Sequence, residues 1–122
     1  MLKNFEISGH HTVVTDDLRK YITKKIGRLD KYMSKHSRAS AHAEVKLMES
    51  KAKDKKQNIC EVVLHLPHEI ITVKEATINM FAAVDIVEAK LKNQLKKYKD
   101  THGNPKFHQR LITKWRRANE TP

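Results

Sequence analysis

Apolar residues recur along this chain at two spacings, every second residue and every three or four residues, and the changes between them predict strands and helices. The first strand is predicted over Lys3–Ser8, because Phe5 and Ile7 alternate with polar residues there. Gly9 is predicted to end this strand.

The first helix is predicted from Thr15 to about Lys35. Thr15 is a suitable N-cap, and Asp16 and Asp17 place negative charge in the first turn, where the helix dipole favours it. Apolar residues then recur at steps of three and four, with two tyrosines beside them. These residues are Leu18, Tyr21, Ile22, Ile26, Leu29, Tyr32 and Met33.

Three further strands are predicted to follow. Ala41–Leu47 and Cys60–Leu66 each alternate apolar and polar residues, which indicates one buried face. Between them, Ser50–Asn58 is too polar to bury and is predicted to be a mobile hairpin loop. A turn at Pro67–His68 leads into the last strand, which contains Ile70–Val73 and ends before residue 77.

The second helix is predicted from residue 77 or 78 to Lys99, with Ala82 and Ala83 as a small-residue centre in its first half. Gly103 and Pro105 interrupt the pattern after its end. Its apolar stripe consists of Met80, Val84, Val87, Leu91, Leu95 and Tyr98.

The element order β-α-β-β-β-α predicts an α+β fold, in which both helices cover one face of a four-stranded, mainly antiparallel sheet. The chain has 122 residues, which is enough for one hydrophobic core but not for two. Residues 1–100 are predicted to form this domain, and residues 101–122 a basic C-terminal tail.

Positive charge is concentrated on the helices and the tail. The chain carries 25 lysines and arginines against 14 aspartates and glutamates, a formal net charge of +11. Residues 15–36, 79–99 and 100–122 carry net charges of +4, +3 and +3, which leaves only +1 on the rest of the chain.

A single lysine on a surface helix is explained by solvation and by the helix dipole. Two adjacent helices and a tail without matching acids favour a polyanionic partner, because unpaired like charge destabilises the free protein. Lysine and arginine suit phosphate contacts, and no strand presents the aromatic residues that stack bases in some RNA-binding folds. The sequence therefore predicts recognition of the shape and phosphates of folded RNA.

Two segments and the element order are similar to one known family. The segment FEISGHH…TDDLRKYITKKIGRLDKYM resembles a strand followed by an L-R-x-x-[IV] helix that ends in K-L-x-K-Y. The segment NMFAAVDIVEAKLKNQLKKYKD resembles D-M-Y-A-A-I-D…K-L-x-x-Q-L-x-K-x-K. The family is that of the bacterial ribosome hibernation-promoting factors, also called ribosome-associated inhibitor A proteins, and the resemblance covers about residues 1–100.

The resemblance implies a double-stranded-RNA-binding-like fold with an extra first strand. It implies binding to the 30S ribosomal subunit and its 16S rRNA, in the channel that holds mRNA and tRNA, so that idle ribosomes are silenced and protected in stationary phase or stress. The mechanism would be steric and electrostatic, without catalysis. The partners would be 30S subunits, 70S ribosomes and 100S ribosome pairs, and the sequence leaves open whether pairing occurs.

Charge and resemblance together predict the RNA-binding residues. The positions that match the family are Arg19, Lys25, Arg28, Lys90, Gln94, Lys97 and Lys99. Four neighbouring lysines complete the predicted site, namely Lys24, Lys31, Lys92 and Lys96.

The chain departs from the family pattern at three positions. Asn79 and Phe81 stand where the family commonly has aspartate and tyrosine, which removes a cap charge and a hydroxyl. Asn93 replaces a common arginine, a contact for which Lys92 and Lys96 are expected to compensate. Longer members add a linker and a dimerisation domain. With 23 residues after Lys99, this chain is expected to be a short form that is monomeric when free.

Two interpretations of the tail PKFHQRLITKWRRANETP remain open. It is either a frayed basic end, or an amphipathic segment that becomes ordered on RNA or on a ribosomal protein with Trp115 as its anchor. Its apolar residues at helical spacing are Phe107, Leu111, Ile112 and Trp115.

Other functions have weaker support. A general structured-RNA-binding protein or RNA chaperone is the alternative, whereas a hydrolase would need a nucleophile–base set that the sequence does not present, so no enzyme and no cofactor are expected. The close histidine pairs His10–His11 and His65–His68 have no clear third ligand, so no metal site is predicted. Cys60 is expected in the core. No segment has the apolar length of a signal peptide or a membrane span, and a cytoplasmic location is expected.

Overall fold

The structure, a computed structural model, describes residue 2, residues 4–52 and residues 55–102. Residues 103–122 of the predicted tail, which include Trp115, lie outside the described residues, as does Lys3, the predicted start of the first strand. The elements are β1 Asn4–His10, α1 Asp16–Ile26, the 3₁₀ helix η1 Gly27–Tyr32, α2 Lys35–Ser40, β2 His42–Ala52, β3 Lys55–Leu66, β4 Glu69–Thr77 and α3 Met80–His102.

The four strands form one mixed sheet in the order β1-β2-β3-β4, which confirms the predicted α+β class. β1 is parallel to β2, because the helical segment between them returns the chain to the same end of the sheet, and the other two pairs are antiparallel. The register places Ile7 beside Val45, Val45 beside Val62, and Val62 beside Val73. This row of apolar residues marks the sheet face that is covered.

Both long helices pack on that face. Ile22 of α1 and Leu91 of α3 are fully buried and belong to one core cluster with Val45 and Val62 of the sheet. All the aliphatic and methionine residues of the two predicted stripes are buried, and so is Tyr98, whose hydroxyl donates a hydrogen bond to Pro67 O at 2.6 Å. The opposite face of the sheet carries no helix in the described ranges.

The first helical segment is divided where a single helix was predicted. Thr15 caps α1 as expected, since its Oγ1 accepts from Leu18 N at 3.2 Å. The α-helix stops at Ile26, because Gly27 is a poor helix former, and the chain continues as a 3₁₀ helix. Leu29 and Met33 remain buried, so the predicted core residues are right although the predicted continuous helix is wrong.

A second short helix, α2, follows where only a connection was predicted. Ser34 caps it by accepting a hydrogen bond from Ser37 N at 3.2 Å.

The β2–β3 hairpin is longer than the sequence predicts. Ser50–Asn58 is largely strand, with Ser50 paired to Gln57 and Lys51 to Lys56, so the predicted loop is wrong outside residues 53 and 54. Backbone pairing does not require buried side chains, and the ladder therefore extends into polar sequence. Asn58 is buried, and its Nδ2 donates to Ile78 O at 3.0 Å.

The predicted ends of β1 and α3 also shift. β1 continues through Gly9, where a Cβ would lie 2.8 Å from Thr12 O, so glycine allows the next loop to pack closely rather than ending the strand. α3 begins at Met80 after Asn79, whose Oδ1 accepts from Phe81 N at 2.8 Å, and extends three residues past Lys99. Asparagine thus makes the cap hydrogen bond without the charge of aspartate.

No helix of the described segments combines the length and apolar character needed to cross a lipid bilayer.

Candidate RNA-binding site

α3 presents polar side chains along both flanks of its buried stripe, and each flank forms a different surface. The flank facing α1 and η1 forms the α1–α3 cleft. The cleft is lined by Lys24, Lys25, Arg28, Leu29, Lys31, Tyr32 and Glu88. The flank facing β4 forms the β4–α3 groove. The groove is lined by Thr72, Val73, Lys74, Lys90, Asn93, Gln94 and Lys97.

Local structure places three basic side chains on the rim of the α1–α3 cleft. Lys24, Arg28 and Lys31 follow one another at steps of four and three residues, which brings them to one side of α1 and η1. All three side chains are exposed. Ile22 and Ile26 are buried in the core and anchor α1, so the backbone that carries the rim residues is held in place.

Lys25 faces acids of α3. Its Nζ lies 4.0 Å from Asp85 Oδ1 and 3.9 Å from Glu88 Oε2. In the groove, Lys90 is paired with Glu75 of β4. The prediction that the helices lack matching acids is therefore wrong at these two lysines. The acids come from other elements, which counting charge along the sequence does not reveal.

Tyr21 fixes α1 against α3 above the cleft. Its hydroxyl donates a hydrogen bond to Asp85 Oδ1, and its ring meets Phe81 edge-on with 5.1 Å between centroids. This hydrogen bond is the main cause that raises the pKa of Tyr21 to about 12, because the carboxylate accepts from the neutral phenol and repels the phenolate. The helix pair is thus joined by a polar and an aromatic contact beside the basic rim.

Tyr32 is a site residue that sequence reasoning assigned only to the flank of the core. The Nζ atoms of Lys31 and Lys92 each lie 5.2 Å from the centre of its ring. Its pKa is lowered, chiefly by the hydrogen bond with Lys92 and also by Lys31, since positive charge favours the phenolate. A partly exposed ring between two cations can stack a base while the lysines contact phosphates. The sequence feature that could have indicated this role is the basic residue Lys31 directly before the aromatic residue Tyr32.

The structure distributes the predicted α3 residues over both flanks. Lys96 and Lys99 follow Lys92 at helical spacing, four and seven residues on, and so continue the row on the cleft side. Lys90, Gln94 and Lys97 line the groove. The predicted site is therefore two surfaces on opposite sides of one helix.

Two predicted residues lie apart from the groove that Asn93 lines. Lys92 contacts Tyr32 on the other flank of α3. Arg19 lies apart from both surfaces, near β1, where it lines a hollow with Ser8 and Lys46.

Lys74 was not among the predicted site residues, and it lines the groove. The sequence indicated this position, because Lys74 alternates along the strand with Ile71 and Val73, which are buried.

A small α+β domain whose helical layer presents a basic cleft defines a class of candidate RNA-binding proteins. A sequence profile described as Sigma 54 modulation protein / S30EA ribosomal protein matches residues 5–102, and the chain belongs to this family. The family resemblance noted in the sequence is thereby confirmed.

Two curated relatives carry the name ribosome hibernation promotion factor. The protein of Staphylococcus aureus (strain COL) is 34% identical over 95 residues, which cover 78% of this chain and 47% of the relative. The protein of Lactococcus lactis subsp. cremoris (strain MG1363) is 34% identical over 96 residues, which cover 78% of this chain and 49% of the relative. The chain thus spans about half the length of these relatives.

Solved structures agree with the fold. The crystal structure of the Protein Y N-terminal domain from Thermus thermophilus has a TM-score of 0.60 at 28% identity, covering 80% of this chain and 99% of that one. A ribosomal subunit interface protein from Coxiella burnetii has a TM-score of 0.64 at 23% identity, covering 79% and 97%. The latter supports the fold alone.

Proposed function

We propose that this chain is a ribosome hibernation factor that binds the 30S subunit through the α1–α3 cleft. The observation that carries the proposal is the set of basic side chains from α1, η1 and α3 that surrounds Tyr32 in the cleft. Membership of the family and the names of the curated relatives support the same target. The protein would act in the cytoplasm, where idle ribosomes accumulate in stationary phase or stress.

The proposed mechanism is occupation of the mRNA and tRNA channel. Lys24, Arg28 and Lys31 would contact phosphates of 16S rRNA from one side of the cleft and Lys92 from the other, gaining free energy from released counterions. Lys25 would orient α1 against α3 through its acidic partners. No bond is made or broken, and the double-stranded-RNA-binding-like description of the fold belongs to this proposal.

Charge reversal on the rim tests the binding surface. We expect the triple variant Lys24→Glu, Arg28→Glu, Lys31→Glu to lose at least about tenfold in affinity for 30S subunits, because three phosphate contacts become repulsive. Cosedimentation with 30S subunits and inhibition of a reconstituted translation system measure the effect.

The matched control changes the same charge elsewhere. Lys35→Glu, Arg38→Glu, Lys55→Glu reverses three exposed cations outside the cleft and the groove. Equal losses in the two variants would show that only net charge matters, and unchanged binding of the rim variant would contradict the proposed surface.

The alternative is a general binder or chaperone of structured RNA, since phosphate contacts alone carry no base identity. Competition separates the two functions. A hibernation factor should prefer 30S subunits over free duplex RNA by about 100-fold or more, whereas a general binder should bind both alike. Sedimentation of 70S ribosomes with the protein would also show whether 100S pairs form.

A further inference from the structure

The sheet face opposite the helices carries a cluster of two histidines and two glutamates from three strands. The register of the sheet places Glu6 of β1 beside Glu44 of β2, and His42 of β2 beside His65 of β3. His42 and Glu44 are two residues apart on one strand and so share this face. We name these four residues the His–Glu cluster.

Three of the four residues in the cluster have potential ligand atoms that lie close together. One ligand atom from each of Glu6, His42 and Glu44 lies within 4.8 Å of the other two. Glu44 Oε1 lies 4.0 Å from His42 Nε2 and 3.8 Å from His65 Nε2. The two imidazole rings are stacked, with 5.3 Å between centroids and 29° between planes. One carboxylate oxygen thus faces both ring nitrogens.

Both of those nitrogens lack a hydrogen-bond partner within the described parts of the chain. His42 Nε2 and His65 Nε2 are shielded from solvent, although their side chains are partly exposed. A shielded polar atom without a partner destabilises the folded state. Both nitrogens lie within 4.0 Å of one oxygen of Glu44, so a single ion bound by all three atoms would satisfy both imidazoles.

We propose that the His–Glu cluster is a Zn²⁺ site. Two imidazole nitrogens and two carboxylates match the ligand preference of zinc, whereas Mg²⁺ and Ca²⁺ prefer oxygen alone. Ligand atoms about 2.1 Å from a tetrahedral zinc lie about 3.4 Å from one another. The imidazole of His65, which is stacked on that of His42, would therefore rotate to complete the site. The ion would join the edge strand β1 to β2 and β3.

Glu6 and Glu44 also line the hollow that contains Arg19, a predicted RNA-binding residue. Of the histidines that form close pairs in the sequence, the proposed site uses only His65. It lies on the open face of the sheet, away from the α1–α3 cleft. His42 and His65 are 23 residues apart in the chain and meet only because β2 and β3 pair in this register. The prediction of no metal site was based only on histidines that are close to one another in the sequence.

Zinc titration of the full chain tests the proposal. After metal removal by a chelator, the protein is titrated with ZnCl₂ in competition with a chromophoric chelator. We expect one Zn²⁺ per chain, bound at micromolar concentration or tighter, and at least about a tenfold loss of affinity in His42→Gln, His65→Gln. The double variant His10→Gln, His36→Gln removes two exposed histidines elsewhere and should bind as the unchanged chain does.

The other possible binding results would contradict a zinc site at the His–Glu cluster. Equal losses in the two histidine variants would indicate adventitious binding, and no binding by the unchanged chain would refute a zinc site. If the first variant fails to fold by circular dichroism, Glu6→Gln, Glu44→Gln replaces it, with the same expected loss. A rise in melting temperature with MgCl₂ equal to that with ZnCl₂ would reject the role of the histidines.

Discussion

The two flanks of α3 use the same residue types in different ways. In the α1–α3 cleft, the acids of α3 contact Lys25 and Tyr21 of α1, which leaves the rim lysines and Tyr32 as the outward surface. In the β4–α3 groove, the cross-element pair involves Lys90 itself, one of the predicted contact residues. The lesson is that charge becomes a binding surface only where pairing across elements leaves it available.

The largest effect is expected from a change in the buried stripe of α3, because this stripe holds both flanks in place. Leu91→Ala should lower the free energy of unfolding by about 2–5 kcal/mol, because it leaves a cavity under the fully buried stripe of α3. Urea denaturation measures this. Ile86→Ala on the exposed side of the same helix is the control and should cost far less; equal costs would mean that α3 is not packed as described.

The next largest effect is expected in RNA binding, where lysine substitutions in the cleft and in the groove can be compared. Lys31→Ala, Lys92→Ala in the cleft should weaken 30S binding by about tenfold and reduce the slope of log affinity against log salt by about two. Lys74→Ala, Lys97→Ala removes the same charge from the groove and should have the smaller effect. Filter binding over a salt series gives both quantities. A larger loss from the groove variant would transfer the proposed contact to that flank.

Tyr21, beside the cleft, should also make the stability of the protein depend on pH. The pKa of Tyr21 is raised from 10.0 to about 12, so the folded state holds the phenol proton more tightly than the unfolded state does. The resulting stability is fully present below pH about 10 and is lost as the pH rises towards 12.

Tyr21→Phe should remove this dependence and cost about 0.5–1 kcal/mol near neutral pH, through the lost hydrogen bond to Asp85. Denaturation of both proteins between pH 9 and 12 is the measurement, and parallel curves would contradict the assignment.

The smallest effect concerns the ion pair of the groove. Lys90 is more than half exposed, so the pair with Glu75 should contribute only about 0–1 kcal/mol. A double-mutant cycle of Lys90→Gln and Glu75→Gln measures the coupling. A coupling above about 2 kcal/mol would contradict the description of this pair as solvent-exposed and weak.

Much of the fold could be predicted because periodicity depends only on which face of an element is buried. The stripes containing Ile22 and Leu91 were predicted and are buried, even where η1 replaces α-helix. The predicted loop in Ser50–Asn58 failed because strand pairing is cooperative along a ladder and tolerates polar residues. The sequence did not show how the predicted site residues divide between the two flanks of α3, since that division depends on which element packs beside α3.

By itself, the sequence determined the α+β class, the buried stripes, the excess of positive charge on the helices and the family of this protein, because each is expressed in residue type and spacing. Only the tertiary structure decided which cations face acids, that Tyr32 lies between Lys31 and Lys92, and that His42 meets His65. Except for the neighbours Lys31 and Tyr32, these contacts join residues that are distant in the chain. Their geometry is set by strand register and helix packing, which local patterns do not encode.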